Sequence, residues 1–581
     1  MKKIKFFLLG IAFAGLISCK NSTTTYKDIT EATGNGVIYY GGDILTMVGD
    51  TPTYADAVWI KDGKIAYIGS LEEAKKQGQG AQLANLEGKT LLPSFIDAHS
   101  HYINSLTVSD QANVSPKPIT DGKGDNVDQI IATIKQLKDK GNIPKDSLIQ
   151  AYGYDDTKMN GRLLNRDDLD KAFPDNPVIV GHISMHGAVL NSKALTRFNI
   201  TKDTPTPKGG VIVRDDNGAP YGLIMETAYL PIFDKLPKPS PDQQIAWSKR
   251  GQMLYAEAGI TTAHDGATKF NDLEIMKHAN KANVNMIDII AFPFIGDLKS
   301  VLAKYPKKDW LKYDNHLKIG GVKITIDGSP QGKTAFFHKP YLTGSPSDPN
   351  DNKWTGELTF SQNEITAMVG MVYDMEVPLN LHANGDSAIA TFLKAHEMVA
   401  KHDLGKERHV TMIHSQFVRK DQLLKYPKYK ILPSFYTLHT YYFADAHIQN
   451  RGPEQASYMS PMKDAIGLGL KPTNHTDFVV LPLNQMMVLW SSVNRVSFGN
   501  KAIGQDQCIT PYQGLQAITI HPAIQYMEQA TKGTLEKNKL ADLVILDKNP
   551  LKEDKMKIKD IKVLQTIKEG KVIYCNECNK S

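Results

Sequence analysis

Short apolar runs alternate with helix-like stretches through the middle of the chain. Eight such runs can be followed from LLPSFIDAH, which begins at Leu91, to LKPTNHTD, which ends at Asp477. The six between them are AGITTAHDG, VNMIDIIAF, LKIGGVKITID, VPLNLHANGD, RHVTMIHS and YKILPSF. Runs that are apolar throughout are typical of parallel strands buried on both faces. Eight of them, separated by helices, predict an α/β fold with a (β/α)8 barrel of the TIM type over residues 91–534.

The interval between the first two runs, residues 102–240, is far longer than an ordinary connection in such a barrel. It contains a helix-like stretch, GAVLNSKALTRF, and a hairpin pattern, GGVIVRDDNGAPYG, with the two-residue turn Asn217-Gly218. We therefore expect a subdomain inserted after strand 1 and lying over the barrel mouth.

Strand-like runs separated by turn signals occupy both ends of the chain. GVIYYGGDILTM and AVWIKDGKIAYIG precede the barrel, and KLADLVILD and IKVLQTIKEGKVIY follow it. All-β pieces on both sides of a larger domain predict one small β-sandwich domain, built from residues 36–90 and 535–575.

The first 19 residues have the pattern of an export signal. MKKIK precedes a mostly apolar stretch from Phe6 to Ile17, which is too short to span a bilayer as a helix. The following LISC resembles the bacterial lipoprotein box, which implies cleavage before Cys19 and lipidation of its thiol; a plain secretory signal is the alternative. Residues 20–35 are then a polar tether. We expect an exported protein, held in the bacterial cell envelope by this lipid anchor alone.

Composition adds few constraints. The chain is 41% hydrophobic and 22% charged, with a net charge of +6, which is ordinary for a globular protein and does not indicate a nucleic-acid partner. Cys575 and Cys578 form a single C-x-x-C, with too few thiolates for a structural zinc site, so a local disulfide or a frayed tail is expected. The sequence leaves a monomer and a homo-oligomer equally open.

Polar side chains stand at the carboxyl ends of the predicted barrel strands. Strand 1 ends in His99 and His101, whose spacing places both imidazoles on one face. The later strands carry His264, Lys323, Asp327, His382, His414 and Asp477. These strand ends form one rim of a barrel, and imidazole and carboxylate groups bind zinc and related metals. The pattern as a whole predicts a metal-dependent active site. A single His-x-His pair would not be enough for this prediction.

Five motifs on successive strands, FIDAHSH, VKITIDGS, LHANGD, RHVTMIH and NHTDF, resemble the amidohydrolase superfamily. GYDDTKMNGR, GHISMHGAVLNSKAL and HANGDSAI resemble its family 3 branch, which includes N-substituted formamide deformylase-like enzymes. The similarity spans about residues 36 to 574. Ser94 stands where that superfamily usually has Gly, and Thr476 stands where Ser often precedes the aspartate. Neither departure removes a ligand.

The resemblance implies two divalent metal ions. His99 and His101 would bind the more buried ion, and His382 and His414 the more exposed one. Zinc is expected, although manganese, iron and cobalt suit the same ligands.

The resemblance also implies roles for the remaining two residues. Lys323, carbamylated by carbon dioxide, would bridge the ions as an anionic ligand; an unmodified lysine paired with Asp327 is the alternative. Asp477 would bind the buried ion and act as the proton shuttle. We do not expect His264 or His475 to be ligands, although each lies near a strand end.

Substrate contacts are harder to assign. His186, Asp155 and Asp156 in the insert are candidates, with surface, packing or loop-capping roles as alternatives. The aromatic stretch SFYTLHTYYFADAH after strand 7 contributes Tyr436, for which stacking within the loop is the alternative.

These features predict a metal-dependent amidohydrolase that uses metal-bound hydroxide to cleave a non-peptide amide, N-formyl or N-acyl bond in a small molecule. Alternatives at the same site are hydrolysis of a cyclic ureide, a lactone or an N-acyl-D-amino acid. A non-catalytic surface binding lipoprotein is a remote alternative, because no predicted ligand is missing.

Overall fold

The computed structural model describes residues 24–183, 187–207, 210–226, 228–229, 231–232, 235–236, 239–345 and 349–578. The predicted signal, Cys19 and His186 therefore lie outside the described residues. No helix in the described part of the chain is both long enough and apolar enough to span a membrane.

Helices and strands alternate along most of the chain. The helices are α1 (Leu71–Gln77), α2 (Tyr102–Val108), α3 (Val127–Lys140), α4 (Arg166–Ala172), α5 (Ser192–Arg197), α6 (Pro241–Glu257), α7 (Phe270–Lys281), α8 (Leu298–Lys304), α9 (Gln362–Met375), α10 (Asp386–Val399), α11 (Lys420–Leu423), α12 (Tyr426–Tyr429), α13 (His439–Tyr442), α14 (Ala444–Arg451), α15 (Pro453–Ser457), α16 (Met462–Gly467), α17 (Gln485–Asn494), α18 (Pro511–Gln516) and α19 (Ile520–Gln525).

Strands from both chain ends lie in one eight-stranded sheet. They are β1 (Val37–Leu45), β2 (Tyr54–Lys61), β3 (Lys64–Gly69), β4 (Gln82–Asn85), β5 (Thr90–Pro93), β21 (Leu543–Leu546), β22 (Val563–Lys568) and β23 (Lys571–Cys575). Their order is β23-β22-β21-β5-β1-β2-β3, with β4 also paired to β1. The strands of the predicted β-sandwich domain are thus joined by continuous hydrogen bonding, because β5 pairs with β1 on one side and with β21 on the other.

One end of this sheet differs in detail from the prediction, and the other agrees with it. Tyr26 and Ile29, predicted within a free tether, are buried in its apolar core. The backbone N–H of Ala32 donates to the carbonyl of Gly570 at 2.9 Å, so this segment packs on the sheet. At the other end, Cys575 and Cys578 form a disulfide.

The insert has a sheet of its own. Its strands are β7 (Ala112–Asn113), β8 (Ile149–Tyr154), β9 (Val178–His182), β10 (Gly187–Leu190), β11 (Gly210–Arg214) and β12 (Pro220–Glu226), in the order β11-β12-β10-β9-β8-β7. Two apolar clusters fill it. Helix α2, predicted as part of the insert, instead packs closely on α6, where a Cβ at Gly251 would lie 2.6 Å from Ser105 Oγ.

The remaining strands form two parallel sheets. The first contains β6 (Phe95–Ile96), β13 (Ile260–Thr268), β14 (Asp288–Pro293) and β15 (Leu317–Ile319). The second contains β16 (Val322–Thr325), β17 (Leu379–Ala383), β18 (Val410–His414), β19 (Ile431–Phe435) and β20 (Thr473–Asn474). One large apolar cluster extends over both sheets and the helices that follow their strands.

The predicted first strand is divided at Ser94. Its first part, β5, belongs to the eight-stranded sheet, and its second part, β6, belongs to the first parallel sheet. Ser94 N–H donates to Asp542 O at 3.0 Å, and its hydroxyl hydrogen bonds to that of Thr261 at 2.6 Å. Ser94 therefore bonds to both sheets at the point where the chain passes between them.

The predicted fourth strand is divided at Gly320-Gly321. Strand β15 pairs with β14, β16 pairs with β17, and Phe294 and Lys323 form an isolated bridge between the two sheets. Gly321 has φ of +154°, and a Cβ there would lie 2.2 Å from Pro378 O. Glycine is needed because the backbones approach so closely as the strand changes neighbours.

The other edges of the two sheets also approach each other. Ile96 N–H donates to Ile518 O at 3.0 Å, and Asn474 N–H donates to Ala517 O at 3.1 Å. The chain after α18 therefore links β6 to β20.

Buried charges connect the C-terminal part of the chain to the first parallel sheet. Lys532 Nζ lies 2.5 Å from Asp288 Oδ2 and 2.8 Å from Glu528 Oε2. Lys568 Nζ lies 3.0 Å from the same Asp288 oxygen and 3.1 Å from Asp542 Oδ2. All five side chains are at least nine-tenths buried, so each charge depends on its partners.

We expect Lys532→Ala to lower the free energy of unfolding by about 3–5 kcal/mol, because two carboxylates lose a buried partner. Lys501, which pairs with Asp445 at the surface, provides the matched control, and Lys501→Ala is expected to change stability by less than about 1 kcal/mol. Urea unfolding of both variants measures the difference. Equal losses would contradict a structural role for the buried network.

Candidate metal centre

The six predicted ligands lie on the strands of the two parallel sheets or directly after them. His99 and His101 follow β6, and Asp477 follows β20. Lys323, His382 and His414 belong to β16, β17 and β18 respectively. Cross-strand register places Thr325 beside His382 and Ala383 beside His414, so the carboxyl ends of these parallel strands meet.

Two backbone hydrogen bonds fix the first strand end against the eighth. Asp477 N–H donates to His99 O at 3.2 Å, and His101 N–H donates to Phe478 O at 2.7 Å. These bonds hold the Asp477 carboxylate beside both imidazoles: Oδ1 lies 3.5 Å from His99 Nε2 and 3.3 Å from His101 Nε2.

The other predicted ligands adjoin this group. Lys323 Nζ lies 3.3 Å from His99 Nε2. The His382 and His414 rings are 4.5 Å apart, and the His99 and His414 rings are 5.3 Å apart. One potential ligand atom each from His99, His414 and Asp477 lies within 4.8 Å of the other two. The structure thus brings all six side chains into one cluster.

Asp327 is not the partner of Lys323. Its carboxylate accepts backbone N–H groups from Phe336 at 3.1 Å, Asn384 at 3.0 Å and Gly385 at 2.8 Å. It also lies 3.4 Å from His382 Nε2. Among the described residues Lys323 forms no ion pair with a carboxylate, and Asp327 is bonded to these other groups instead.

Burial governs the protonation of the cluster. It lowers the pKa of His99 and His414 well below the usual imidazole value, and it lowers the pKa of Lys323 to about 7. Burial alone would raise the pKa of Asp477, but His101 and the other neighbouring basic groups outweigh it and hold the pKa below its usual range. Near neutral pH the cluster therefore combines the neutral imidazoles of His99 and His414 with an ionised Asp477 carboxylate.

Two of the six residues have a left-handed backbone, with φ of +70° at His414 and +52° at Asp477. This conformation is unfavourable for residues with a side chain, and such strain is concentrated at functional sites.

The donor set fits a divalent metal ion. Asp477 Oδ1 and His414 Nδ1 are buried, and neither has a hydrogen-bond partner among the described residues. Buried polar atoms are rarely left without one. Neutral imidazoles around a carboxylate supply the nitrogen and oxygen ligands that zinc and its neighbours accept.

The predicted substrate contacts are more dispersed. Tyr436 is buried beside the cluster, its ring stacked on His475 at 4.7 Å, and its hydroxyl has no partner among the described residues. Asp156 belongs to the insert, where its Oδ1 lies 3.0 Å from His182 Nε2, and Asp155 precedes it directly after β8. The proposed contact of His186 with substrate cannot be located, since that residue is outside the described part.

Sequence reasoning missed the contacts of His264 and Asn380. His264 Nδ1 lies 3.1 Å from His99 Nδ1, and Asn380 Nδ2 lies 2.9 Å from His264 Nε2. Asn380 precedes His382 by two residues on one strand, which places both side chains on the same face. That spacing is the signal in the sequence from which Asn380 could have been found.

Comparison with known proteins assigns the chain to the family that the sequence motifs resemble. Residues 82–574 match the model of the amidohydrolase family. The chain belongs to the amidohydrolase family. This membership confirms the predicted superfamily and its family 3 branch, and with them a metal-dependent hydrolase acting on carbon–nitrogen bonds.

Individual members are distant in sequence but similar over nearly their full length. YtcJ of Bacillus subtilis, named as a candidate amidohydrolase, is 25% identical over 562 residues, covering 92% of this chain and 99% of that protein. The N-substituted formamide deformylase of Arthrobacter pascens is 22% identical over 542 residues, covering 90% and 95%. The crystal structure of an uncharacterised metal-dependent hydrolase from Pyrococcus horikoshii OT3 has a TM-score of 0.71 at 22% identity, covering 89% and 99%, so the two share a fold.

Proposed function

We propose that this amidohydrolase cleaves a non-peptide amide bond, with N-formyl and N-acyl amines as its substrate class. The proposal rests mainly on one observation, which is that potential ligand atoms of His99, His414 and Asp477 lie close together. The buried Oδ1 of Asp477 has no hydrogen-bond partner among the described residues. The Arthrobacter pascens relative, named for N-substituted formamide hydrolysis, supports N-formyl compounds as the first to test.

We also propose that the two parallel sheets together form the predicted (β/α)8 barrel. Strand four joins the two parallel sheets through the Phe294–Lys323 bridge, and the Ala517–Ile518 segment hydrogen bonds to β6 and β20. These contacts support a closed arrangement of eight strands, with the metal centre at their carboxyl ends.

Two divalent metal ions, zinc first among them, would be held by the cluster. His99, His101 and Asp477 would hold one ion, and His382 and His414 the other. Lys323 as a carbamate would contact both. It is suited to this because it is buried and adjacent to His99 yet has no ion-pair partner among the described residues. When bound, such ions lower the pKa of a water molecule and polarise the carbonyl group of the substrate.

Asp477 is placed to transfer the proton in this reaction. It is ionised near neutral pH, so Oδ1 can accept a proton from the attacking water and return it to the departing nitrogen. Its backbone hydrogen bond to His99, and that of the adjacent Phe478 carbonyl to His101, keep that oxygen beside both imidazoles.

Tyr436 would contribute to substrate binding. Its hydroxyl is a buried donor beside the cluster, and stacking on His475 fixes the ring. A hydrogen bond from this hydroxyl to the acyl oxygen of the substrate would satisfy it. Asp155, Asp156 and His186 would face the substrate from the insert.

The protein would act as a monomer or homo-oligomer on small amides, without a nucleic-acid partner. It would be exported and lipid-anchored through Cys19. The sequence pattern MKKIK through LISC supports this location.

We expect Asp477→Asn to lower turnover by about 100- to 10,000-fold with substrate affinity largely kept, because the proton acceptor is lost. Amine release is measured from a panel of N-formyl, N-acetyl, N-acyl-D-amino acid and cyclic ureide compounds with zinc- or manganese-loaded protein. Asp445→Asn, at a surface ion pair, is the matched control and should retain wild-type turnover. Near-normal turnover in Asp477→Asn would remove this residue from the mechanism. If the metal-loaded wild type hydrolyses no compound of the panel and then no lactone, a binding role would be favoured.

We expect Lys323→Ala to bind less metal than wild type and to regain part of its activity with short carboxylic acids, because these can replace the carbamate oxygens. Metal content is measured by atomic emission, with Lys501→Ala as the control. Wild-type protein equilibrated with ¹³C-bicarbonate should show a carbamate carbon signal that is absent from Lys323→Ala. Full metal content and full activity in that variant would exclude the bridging role.

We expect Cys19→Ala to release the protein from the membrane fraction, because the acylated thiol is lost. Fractionation of cells followed by immunoblotting measures the distribution, and Cys508→Ala provides a control with a different cysteine removed. A Cys19→Ala protein that still sediments with membranes would rule out lipid anchoring at this residue.

A further inference from the structure

A buried chain of hydrogen-bonding side chains leads away from the proposed metal centre into the core. His99 Nε2 faces the centre, 3.3 Å from Lys323 Nζ and 3.5 Å from Asp477 Oδ1. Its other nitrogen, Nδ1, faces away and lies 3.1 Å from His264 Nδ1. His264 Nε2 in turn lies 2.9 Å from the side-chain amide of Asn380.

The packing around His264 holds its ring in this position. The ring stacks on Tyr526 with centroids 5.9 Å apart and contacts Phe292 at 5.0 Å. A Cβ at Gly266 would lie 2.2 Å from His99 Cε1 and 2.8 Å from His264 Cε1. The absence of a side chain at Gly266 therefore permits the two imidazoles to approach each other.

The direction of the hydrogen bonds along this chain depends on what His99 Nε2 does. A neutral imidazole carries one N–H, so a His99 that binds metal through Nε2 must carry its proton on Nδ1. That N–H needs an acceptor, and the nitrogen 3.1 Å away is His264 Nδ1. His264 then carries its own proton on Nε2, which requires the Asn380 amide to present its oxygen.

The opposite direction is also available. With Asn380 Nδ2 toward His264 Nε2, the amide donates, His264 donates from Nδ1, and His99 is left with its proton on Nε2, where it blocks metal binding. The Ser100 backbone accommodates both states, since its N–H lies 3.4 Å and its carbonyl 3.3 Å from His264 Nδ1. Rotation of the Asn380 amide exchanges donor for acceptor.

We propose that His264 and Asn380 are positioning residues that set the tautomer of His99, so that metal binding and a reversal of this hydrogen-bond chain occur together. This inference rests on the proposed metal-dependent function. It gives His264, which is not a ligand, a direct effect on metal affinity, as outer partners of ligating histidines commonly have.

Zinc affinity of purified protein, measured by competition with a chromogenic chelator, tests the proposal. His264→Leu removes the acceptor and is expected to raise the zinc dissociation constant about 10- to 100-fold. His264→Gln retains an acceptor and is expected to lose less than about 10-fold. His396→Leu is the matched control, because His396 is a fully buried histidine of helix α10 that is bonded to Tyr373 and Leu404. This variant should bind zinc as the wild type does.

Long-range ¹H–¹⁵N spectra of histidine-labelled, zinc-loaded wild type give a second readout, in which the tautomers are measured in the wild-type protein itself. We expect protons on His99 Nδ1 and His264 Nε2, with the His264 signals assigned by their loss in His264→Gln. A proton on His264 Nδ1 would overturn the proposal, and so would equal loss of affinity in the Leu and Gln variants or wild-type affinity in His264→Leu. Failure of the wild type itself to bind zinc would instead overturn the proposed function.

Discussion

The rest of this site depends on one constraint, which is that basic and acidic side chains are buried without the ion-pair or hydrogen-bond partners that such groups usually have. Lys323 is buried without a carboxylate, and Asp477 Oδ1 is buried without a hydrogen-bond donor among the described residues. Such groups are costly in an apolar interior. Left-handed backbone at His414 and Asp477 adds a further cost at the same place. A bound cation would offset the cost at the Asp477 carboxylate and at the unpaired His414 nitrogen, which is why the cluster is interpreted as a metal centre.

Close backbone approaches bring the cluster together. Gly321 allows strand four to change neighbours at the strand that carries Lys323, and Gly266 allows the rings of His99 and His264 to meet. The backbone bonds between the ends of strands one and eight fix Asp477 beside His99. The geometry of the site is thus set by main-chain contacts, so side-chain substitutions in the cluster can alter chemistry while leaving the scaffold in place.

Much of the fold and of the candidate site could be predicted from the sequence, because both depend on local patterns of apolar and polar residues. Apolar runs predicted the parallel strands, and polar residues at their ends, together with the family resemblance, predicted the six side chains that meet in the cluster. The rest depends on which strands become neighbours. Division of the first strand at Ser94 follows from β5 pairing with both β1 and β21. The burial of Tyr26 and Ile29 likewise requires knowing the surface on which they pack.

The contact between His264 and Asn380 could not be predicted from the sequence for the same reason. The two residues come from different strands and meet only in the folded core. Their chemistry suits that location. An aspartate in place of Asn380 could only accept, and a lysine could only donate, so either would fix one direction of the hydrogen-bond chain. An amide can do both. Asparagine at this position therefore provides a partner for His264 Nε2 whether His99 Nε2 holds a proton or a metal ion. The same core can thus accommodate the protein before and after the metal is bound.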